Sequence, residues 1–125
     1  MLVDTDVMIW YMRGNRQASR NLSDLERFSV SVITYMELVQ GLRNKAELNT
    51  LRSFLKENQV DILYINEEIS TKAMFLIEQH YLSHSLNLAD ALIGATAVIY
   101  GIPLFTGNTK HYKAIDNILL KSFRP

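Results

Sequence analysis

The sequence contains no cysteine and has no excess of charge of either sign, and each absence excludes a class of protein. Without cysteine there is no disulfide framework and no thiolate metal site, so a metal would need oxygen ligands or the three histidines. An oxygen-only set suits a hard cation such as Mg²⁺ or Mn²⁺. The 13 basic and 13 acidic side chains cancel, which argues against a highly basic sheath for duplex DNA but allows a local basic patch.

Long apolar segments are absent as well. The most apolar stretch, LADALIGATAVIYGIPLF, contains Asp90, Gly94, Gly101 and Pro103, and its uncharged part is shorter than the roughly 20 residues of a membrane helix. We interpret it as buried core and expect no membrane partner. The first residues carry no basic region and no cleavable apolar segment. We therefore expect a cytoplasmic protein.

The chain also lacks repeats, low-complexity segments and Pro/Gly/Ser-rich linkers, and 125 residues suffice for one compact core. We expect a single domain over residues 1–125. Strand-like runs alternate with segments of helical periodicity. This alternation predicts an α/β fold, a three-layer α/β/α sandwich around a mostly parallel sheet of four or five strands, because right-handed crossovers place helices on both faces.

The predicted elements follow from the apolar runs and from Gly and Asn boundaries. The predicted strands are 1–4, 28–30, 60–65 and 103–106, with a weaker strand at 118–120. The predicted helices are a short one ended by Gly14, a polar one over 15–26, and longer ones over 34–42, 45–58, 67–81 and 88–100. His80 and His84 flank a helix end, where cations favour the dipole.

Several polar residues are expected at the carboxyl edge of the sheet, where ligands bind in such folds. Asp4 and Thr106 end strands, Asn108 lies two residues beyond Thr106, and Glu37 and Asp90 are predicted in the first turns of helices. Helix amino ends lessen repulsion among carboxylates. Three carboxylates and one amide oxygen, with water, make an octahedral site for Mg²⁺ or Mn²⁺. A metal so placed activates water for phosphodiester hydrolysis.

A purely structural interpretation also exists for some of these acids. Thr34-x-x-Glu37 and Asn87-x-x-Asp90 both have the spacing of a capping box, so either acid taken alone is more often a cap than a ligand. Asp4 is different, because a carboxylate that ends a central strand does not stabilise a helix from the surface. Asp6, early in the next helix, either favours the dipole or supports Asp4.

Four segments in this order resemble the PIN-domain ribonucleases, most closely the VapC toxins of bacterial toxin–antitoxin pairs: LVDTDV, SVSVITYMELVQGL, LNLADALIGATAVIYG and PLFTGNTKHY. The resemblance implies that Asp4, Glu37 and Asp90 are the catalytic, metal-binding acids. The fourth family position, often Asp, is Asn108 here, and the missing charge favours a single Mg²⁺ or Mn²⁺ over two ions. Thr106 matches a frequent family Thr that would orient a ligand or a water.

The same resemblance implies endonucleolytic cleavage of structured RNA, such as tRNA or an rRNA loop, by a metal-activated water. It also implies a homodimer and a cognate VapB-like antitoxin whose C-terminal segment blocks the site. Candidate walls of the antitoxin groove are Trp10, Tyr11 and Met12, although apolar residues at helical spacing are more often core. Candidate RNA-phosphate contacts are Arg13, Arg16, Arg20, Lys110, His111 and Lys113. For any one of them taken alone, a solvated helix face is the more common explanation. Tyr112 is interpreted as a packing residue that anchors its loop.

Two rival functions use the same residues. DTDVM resembles the start of haloacid-dehalogenase-like phosphatases, with Asp4 as nucleophile and Asp6 as acid/base. Thr106 could supply the later strand-end hydroxyl of such enzymes. They also need a pair of acidic residues after it, and Asp116 is the only acid there. The other rival is a catalytically inactive PIN-like binding module, which Asn108 favours. Preserved carboxylates argue against it, because buried carboxylates without a cation are costly to keep ionised.

Overall fold

A computed structural model describes residues 1–83 and 85–125 and has one central sheet. Its strands are β1 (Leu2–Val3), β2 (Ser29–Ser31), β3 (Asp61–Leu63), β4 (Leu104–Thr106) and β5 (Leu120–Ser122). Their order across the sheet is β3-β2-β1-β4-β5, and every neighbouring pair is parallel. All five carboxyl ends therefore open onto the same edge of the sheet.

Helices connect the strands and cover both faces of the sheet. They are α1 (Thr5–Met12), α2 (Arg16–Asp24), α3 (Val32–Gln40), α4 (Lys45–Glu57), α5 (Glu67–His80), α6 (Leu88–Tyr100) and the short α7 (Thr109–Tyr112). Of the two histidines expected at a helix end, His80 lies in the last turn of α5, and His84 lies outside the described residues.

The core is divided by the sheet into two clusters. Leu2 and Leu104 pack with α5 and α6, whereas their neighbours Val3 and Phe105 pack with α1, α2 and α4. Successive side chains of a strand point to opposite faces, so a strand buried on both faces consists of consecutive apolar residues. This arrangement confirms the predicted three-layer α/β/α sandwich.

The apolar stretch read as core forms α6, whose residues from Ile93 to Ala97 are buried. Gly101 ends the helix in the left-handed conformation (φ 64°), which glycine adopts without a steric cost. Within the part of the chain that the structure describes, no helix combines the length and apolarity needed to cross a membrane.

The last strand and one short helix differ from the sequence prediction. Strand β5 runs over Leu120–Ser122, two residues later than 118–120, because Leu120 pairs with Leu104 and Ser122 pairs with Thr106. The hydrogen bond from Phe123 N to Thr106 O, 2.8 Å long, continues that register. The position of β5 is set by pairing with β4 and not by the apolar run at 118–120. Helix α7 was not predicted from the sequence.

Candidate active site at the carboxyl edge of the sheet

Asp4 is the most buried acid of the site. It directly follows β1, caps α1, and is only 4% exposed. Its Oδ1 accepts a hydrogen bond from Thr5 N at 2.8 Å, and its Oδ2 accepts one from Thr106 Oγ1 at 2.8 Å. Burial, helped by the charge of Asp6, raises the pKa of Asp4 to about 6 despite these hydrogen bonds. A nearby cation would offset the cost of keeping this carboxylate ionised.

Asp6 joins the start of α1 to the loop after β4. Its Oδ1 accepts from Val7 N and its Oδ2 accepts from Gly107 N, both at 2.9 Å. Burial raises the pKa of Asp6 as well. A Cβ atom on Gly107 would lie 2.6 Å from Asp6 Oδ2, so this close approach requires glycine. Asp6 therefore holds the backbone that carries Thr106 and Asn108.

The start of α3 corrects two expectations about Glu37. Helix α3 follows β2 without a gap, and its N-cap is Ser31, whose side chain accepts from Ile33 N at 3.0 Å. Glu37 consequently lies in the second turn and not in the first. The expected Thr34–Glu37 capping box is wrong for the same reason, since Thr34 lies inside the helix.

Glu37 is nevertheless directed toward the start of α1. Its Oε1 accepts a hydrogen bond of 2.7 Å from Thr5 Oγ1, which also lies 2.9 Å from Thr34 Oγ1. Thr5 is the residue after Asp4, so this hydroxyl links Glu37 to the residue next to the buried carboxylate. Sequence reasoning missed Thr5, although it lies inside the LVDTDV segment, and gave Thr34 only a capping role.

Asp90 is both a cap and a site residue. The predicted capping box with Asn87 is present, with Asp90 N donating to Asn87 Oδ1 at 2.8 Å and Asn87 N donating to Asp90 Oδ2 at 3.4 Å. Tyr112 donates its hydroxyl hydrogen to Asp90 Oδ1 at 3.3 Å. His111 Nδ1 lies 3.4 Å from Asp90 Oδ2. The two interpretations of Asp90 are therefore compatible.

Tyr112 is completely buried, as expected of a packing residue, yet its hydroxyl faces the acids. Burial, together with the charges of Asp4 and Asp90, raises the pKa of Tyr112, so the hydroxyl keeps its proton and donates. Its hydrogen bonding in turn lowers the pKa of Asp4. The packing interpretation of Tyr112 was correct but incomplete.

Thr106 serves two neighbours at once. Its hydroxyl donates to Asp4 Oδ2 and accepts from Asn108 N at 2.9 Å. The first contact orients an acid, and the second satisfies the local backbone. Asn108 is exposed at the start of α7 and its side chain makes no capping hydrogen bond.

Comparison with known proteins identifies the family of this fold and site. A family model described as PIN domain matches residues 1–117. The chain belongs to the PIN-domain family. It is 32% identical over 124 residues to Ribonuclease VapC1 of Methanocaldococcus jannaschii, an alignment that covers 98% of this chain and 86% of that protein.

Solved structures of toxin–antitoxin proteins share this fold. A toxin–antitoxin complex from Klebsiella pneumoniae superimposes with a TM-score of 0.75 at 28% identity, covering 94% of each chain. VapBC2 from Rickettsia felis, bound to a DNA fragment from its promoter, superimposes with a TM-score of 0.84 at 19% identity over 98% of each chain and shows the same fold. The resemblance to VapC-like PIN domains is confirmed, and the phosphatase alternative has no support.

Three acids of this PIN domain each accept a hydrogen bond from a hydroxyl group. The Thr106 hydroxyl donates to Asp4, the Thr5 hydroxyl donates to Glu37, and the Tyr112 hydroxyl donates to Asp90. Across residues 1–83 and 85–125, no three His, Cys, Asp or Glu side chains are arranged to hold one metal ion together. The donors are all hard oxygens around a buried carboxylate, and this chemistry fits Mg²⁺ or Mn²⁺.

The basic residues predicted to contact RNA lie at several places on the PIN domain. His111 lies against Asp90, and Arg13 lines a groove of about 350 Å³ together with Glu37 and Arg43. Arg16 and Arg20 line a shallower surface along α2. Lys110 and Lys113 are exposed on and after α7. The structure thus brings Arg13 and His111 to the acids, and contact with RNA stays a prediction for the whole set.

A larger groove of about 720 Å³ separates α1 and α2 from α4. Two of the three predicted wall residues, Tyr11 and Met12, line it, whereas Trp10 is exposed outside it. The ring of Tyr11 packs against Phe54 of α4 with centroids 4.7 Å apart. Arg16, the first residue of α2, also lines this groove. It therefore borders both the apolar groove and the shallower surface along α2.

Proposed function

We propose that this PIN-domain protein is the toxin of a toxin–antitoxin pair and acts as a metal-dependent endoribonuclease. One observation carries the proposal: the buried carboxylate Asp4 has a raised pKa at the carboxyl edge of the sheet, and the hydroxyl groups of its neighbour Thr5 and of Tyr112 hydrogen-bond to Glu37 and Asp90. Relatives named Ribonuclease VapC support RNA as the substrate.

Asp4, Glu37 and Asp90 are the side chains that would hold the metal, with Mg²⁺ or Mn²⁺ preferred by their oxygen donors. When bound, such an ion supplies an activated water and stabilises charge on the leaving oxygen of a phosphodiester. Asn108 adds an oxygen without a charge, which is consistent with one ion. The neutral amide also repels the incoming phosphate less than an aspartate would.

The other residues of the chain position these acids and the substrate. Thr106 fixes Asp4, Thr5 turns Glu37 toward the site, and Asp6 holds the loop that carries Asn108. Arg13 and His111, next to the acids, offer positive charge and hydrogen-bond donors to RNA phosphates. We propose structured RNA, such as tRNA or an rRNA loop, as the target.

The proposed protein partner is a VapB-like antitoxin. The groove between α1, α2 and α4 presents an apolar floor with Arg16 at its border, a surface that suits the apolar face of a peptide helix. Solved neighbours of this chain are toxin–antitoxin complexes, which supports this assignment. An antitoxin segment seated there would also lie near Arg13 and Glu37, because the two grooves share Met12 and Leu42.

We also propose a homodimer that uses the exposed apolar side chains of α5 and of the segment after it. The exposed apolar side chains of this region are Met74, Phe75, Tyr81, Leu82 and Leu88. Helix α4 instead lines the antitoxin groove through Leu51 and Phe54. Association through α5 would leave that groove open.

The decisive experiment is cleavage of a small-RNA pool by the purified protein with Mg²⁺ or Mn²⁺ and with a chelator. The Asp90→Asn variant tests the site, and Asp24→Asn, an exposed acid at the end of α2, is the matched control. We expect cleavage by the wild type and by Asp24→Asn in the presence of metal only, and none by Asp90→Asn. Cleavage that persists in chelator or in Asp90→Asn contradicts the proposal. Absence of both metal binding and cleavage would favour the inactive binding module.

A further inference from the structure

Tyr112 brings a hydroxyl group into the acidic site from inside the core. It is the largest of the completely buried side chains, and its hydroxyl donates to Asp90 Oδ1 at 3.3 Å. The neighbouring charges of Asp4 and Asp90 both raise the pKa of Tyr112, so this hydroxyl lies close to both acids. A phenylalanine would fill the same core volume. Packing therefore explains the ring of Tyr112 but not its oxygen.

Helix α6 determines where the Tyr112 ring lies. Asp90 and Gly94 are one turn apart and share a face of the helix. A Cβ atom built on Gly94 would lie 3.5 Å from Tyr112 Cδ1 and 2.7 Å from Ile115 Cδ1, so the ring packs against nearly bare backbone. One helical turn rises about 5.4 Å, which is similar to the length of the phenol ring. A tyrosine ring that packs against Gly94 therefore places its hydroxyl group next to Asp90.

The two oxygens of Asp90 are held by different neighbours. Oδ2 faces Asn87 N and His111 Nδ1, both at 3.4 Å, whereas Oδ1 receives the Tyr112 hydroxyl at 3.3 Å. All three contacts are long for hydrogen bonds. The Tyr112 contact differs from the other two because its donor is carried by a completely buried ring, whose position is fixed by core packing.

We propose that Tyr112 is a positioning residue that fixes the orientation of the Asp90 carboxylate relative to Asp4 at the carboxyl edge of the sheet. The inference rests on the proposed function, which assigns both acids to cation binding. It goes beyond that assignment by giving a core side chain on α7 a role in preorganising the site. Outer groups that orient metal ligands change affinity by about tenfold or more when removed.

The test is the Tyr112→Phe variant, which removes one oxygen and keeps the buried ring. Tyr100→Phe is the matched control, because Tyr100 is partly exposed at the opposite end of α6. Mn²⁺ binding is measured calorimetrically on the metal-free proteins, and RNA cleavage is measured in parallel. We expect Tyr112→Phe to bind Mn²⁺ about tenfold more weakly and to lower kcat with little change in KM. Tyr100→Phe should match the wild type in both.

The outcomes separate this inference from the proposed function. Equal Mn²⁺ affinity of wild type and Tyr112→Phe, measured where both are folded, overturns the positioning role. If the wild type itself binds no Mn²⁺, the metal-dependent function fails, and crystal structures of both metal-free proteins decide the inference. A rotated Asp90 carboxylate in Tyr112→Phe then supports the positioning role, and an unchanged one overturns it.

Discussion

Asp4 illustrates how one residue acquires its chemistry from its surroundings. The side chain is an ordinary carboxylate, yet burial at the end of β1 and the nearby charge of Asp6 raise its pKa to about 6. Hydrogen bonds from Thr106 and Thr5 act in the opposite direction and are outweighed. Such a group is costly to ionise in the absence of a cation, which is the property expected of a metal ligand before the metal binds.

The stability of the metal-free protein should therefore depend on pH through Asp4. Its pKa is higher in the folded state than the ordinary 3.8, so the folded state binds the extra proton. This stabilisation is complete below about pH 4 and is lost as pH rises to about 6, by roughly 3 kcal/mol. Urea unfolding in chelator across this range should show Asp4→Asn gaining stability relative to wild type. A constant difference between the two proteins would contradict the assignment.

Gly107 allows a second prediction for a single residue. In Gly107→Ala, the new Cβ would lie 2.6 Å from Asp6 Oδ2 and would displace it. This displacement would break the hydrogen bond from the amide of residue 107 to Asp6. We expect the free energy of unfolding to fall by about 0.5–1.5 kcal/mol, measured by urea titration. Gly41→Ala is the control, since its Cβ would meet its nearest neighbour at an ordinary 3.5 Å. An equal loss of unfolding free energy in both variants would show that Asp6 does not hold the loop after β4.

Helix ends combine structural and chemical roles at the scale of the element. Helix α6 begins with a capping box whose acid, Asp90, also faces Tyr112 and His111. Helix α1 begins at Asp4 itself, which caps it. In both helices the free amide groups of the first turn stabilise the negative charge that the site needs. A residue can thus satisfy a capping pattern and still belong to the active site.

The two roles of α6 can be separated by Asn87→Ala. This variant removes the side-chain cap on Asp90 N and should lower the free energy of unfolding by about 1 kcal/mol. RNA cleavage should persist below the melting transition, because the contact of Asp90 with Tyr112 remains. Thermal unfolding and cleavage are measured on the same preparations, beside Asp90→Asn. Loss of all cleavage in folded Asn87→Ala would show that the cap also orients the site.

At the scale of the whole molecule, the sheet separates the site from the apolar groove. The acids collect at the carboxyl edge, while the groove lies between helices that cover one face. The narrower groove with Arg13 and Glu37 joins the two regions. A partner seated in the apolar groove would consequently approach the acids without replacing any core residue.

This separation predicts variants that affect the antitoxin and not the catalytic site. Ala46 of α4 lines the apolar groove, is exposed and lies outside the narrower groove with Arg13 and Glu37, so Ala46→Glu should leave the fold intact. We expect the affinity for the cognate antitoxin to fall by about tenfold or more, because a charge enters an apolar contact, and RNA cleavage to remain. Binding is measured by surface plasmon resonance, with Met36→Glu on α3 as the exposed control. Equal affinities of both variants would place the antitoxin elsewhere.

The sequence alone determined the order of the five strands and of helices α1 to α6, because apolar periodicity and capping residues act over a few positions. It also identified Asp4, Glu37 and Asp90 as acids of one edge, since parallel strands present their carboxyl ends together. Only the tertiary structure decided the β5 register, the second-turn position of Glu37, and the contacts of Asp6, Thr5 and Tyr112. These contacts join residues 22 to 101 positions apart. They depend on how helices pack on the sheet, and no local pattern in the sequence encodes that packing.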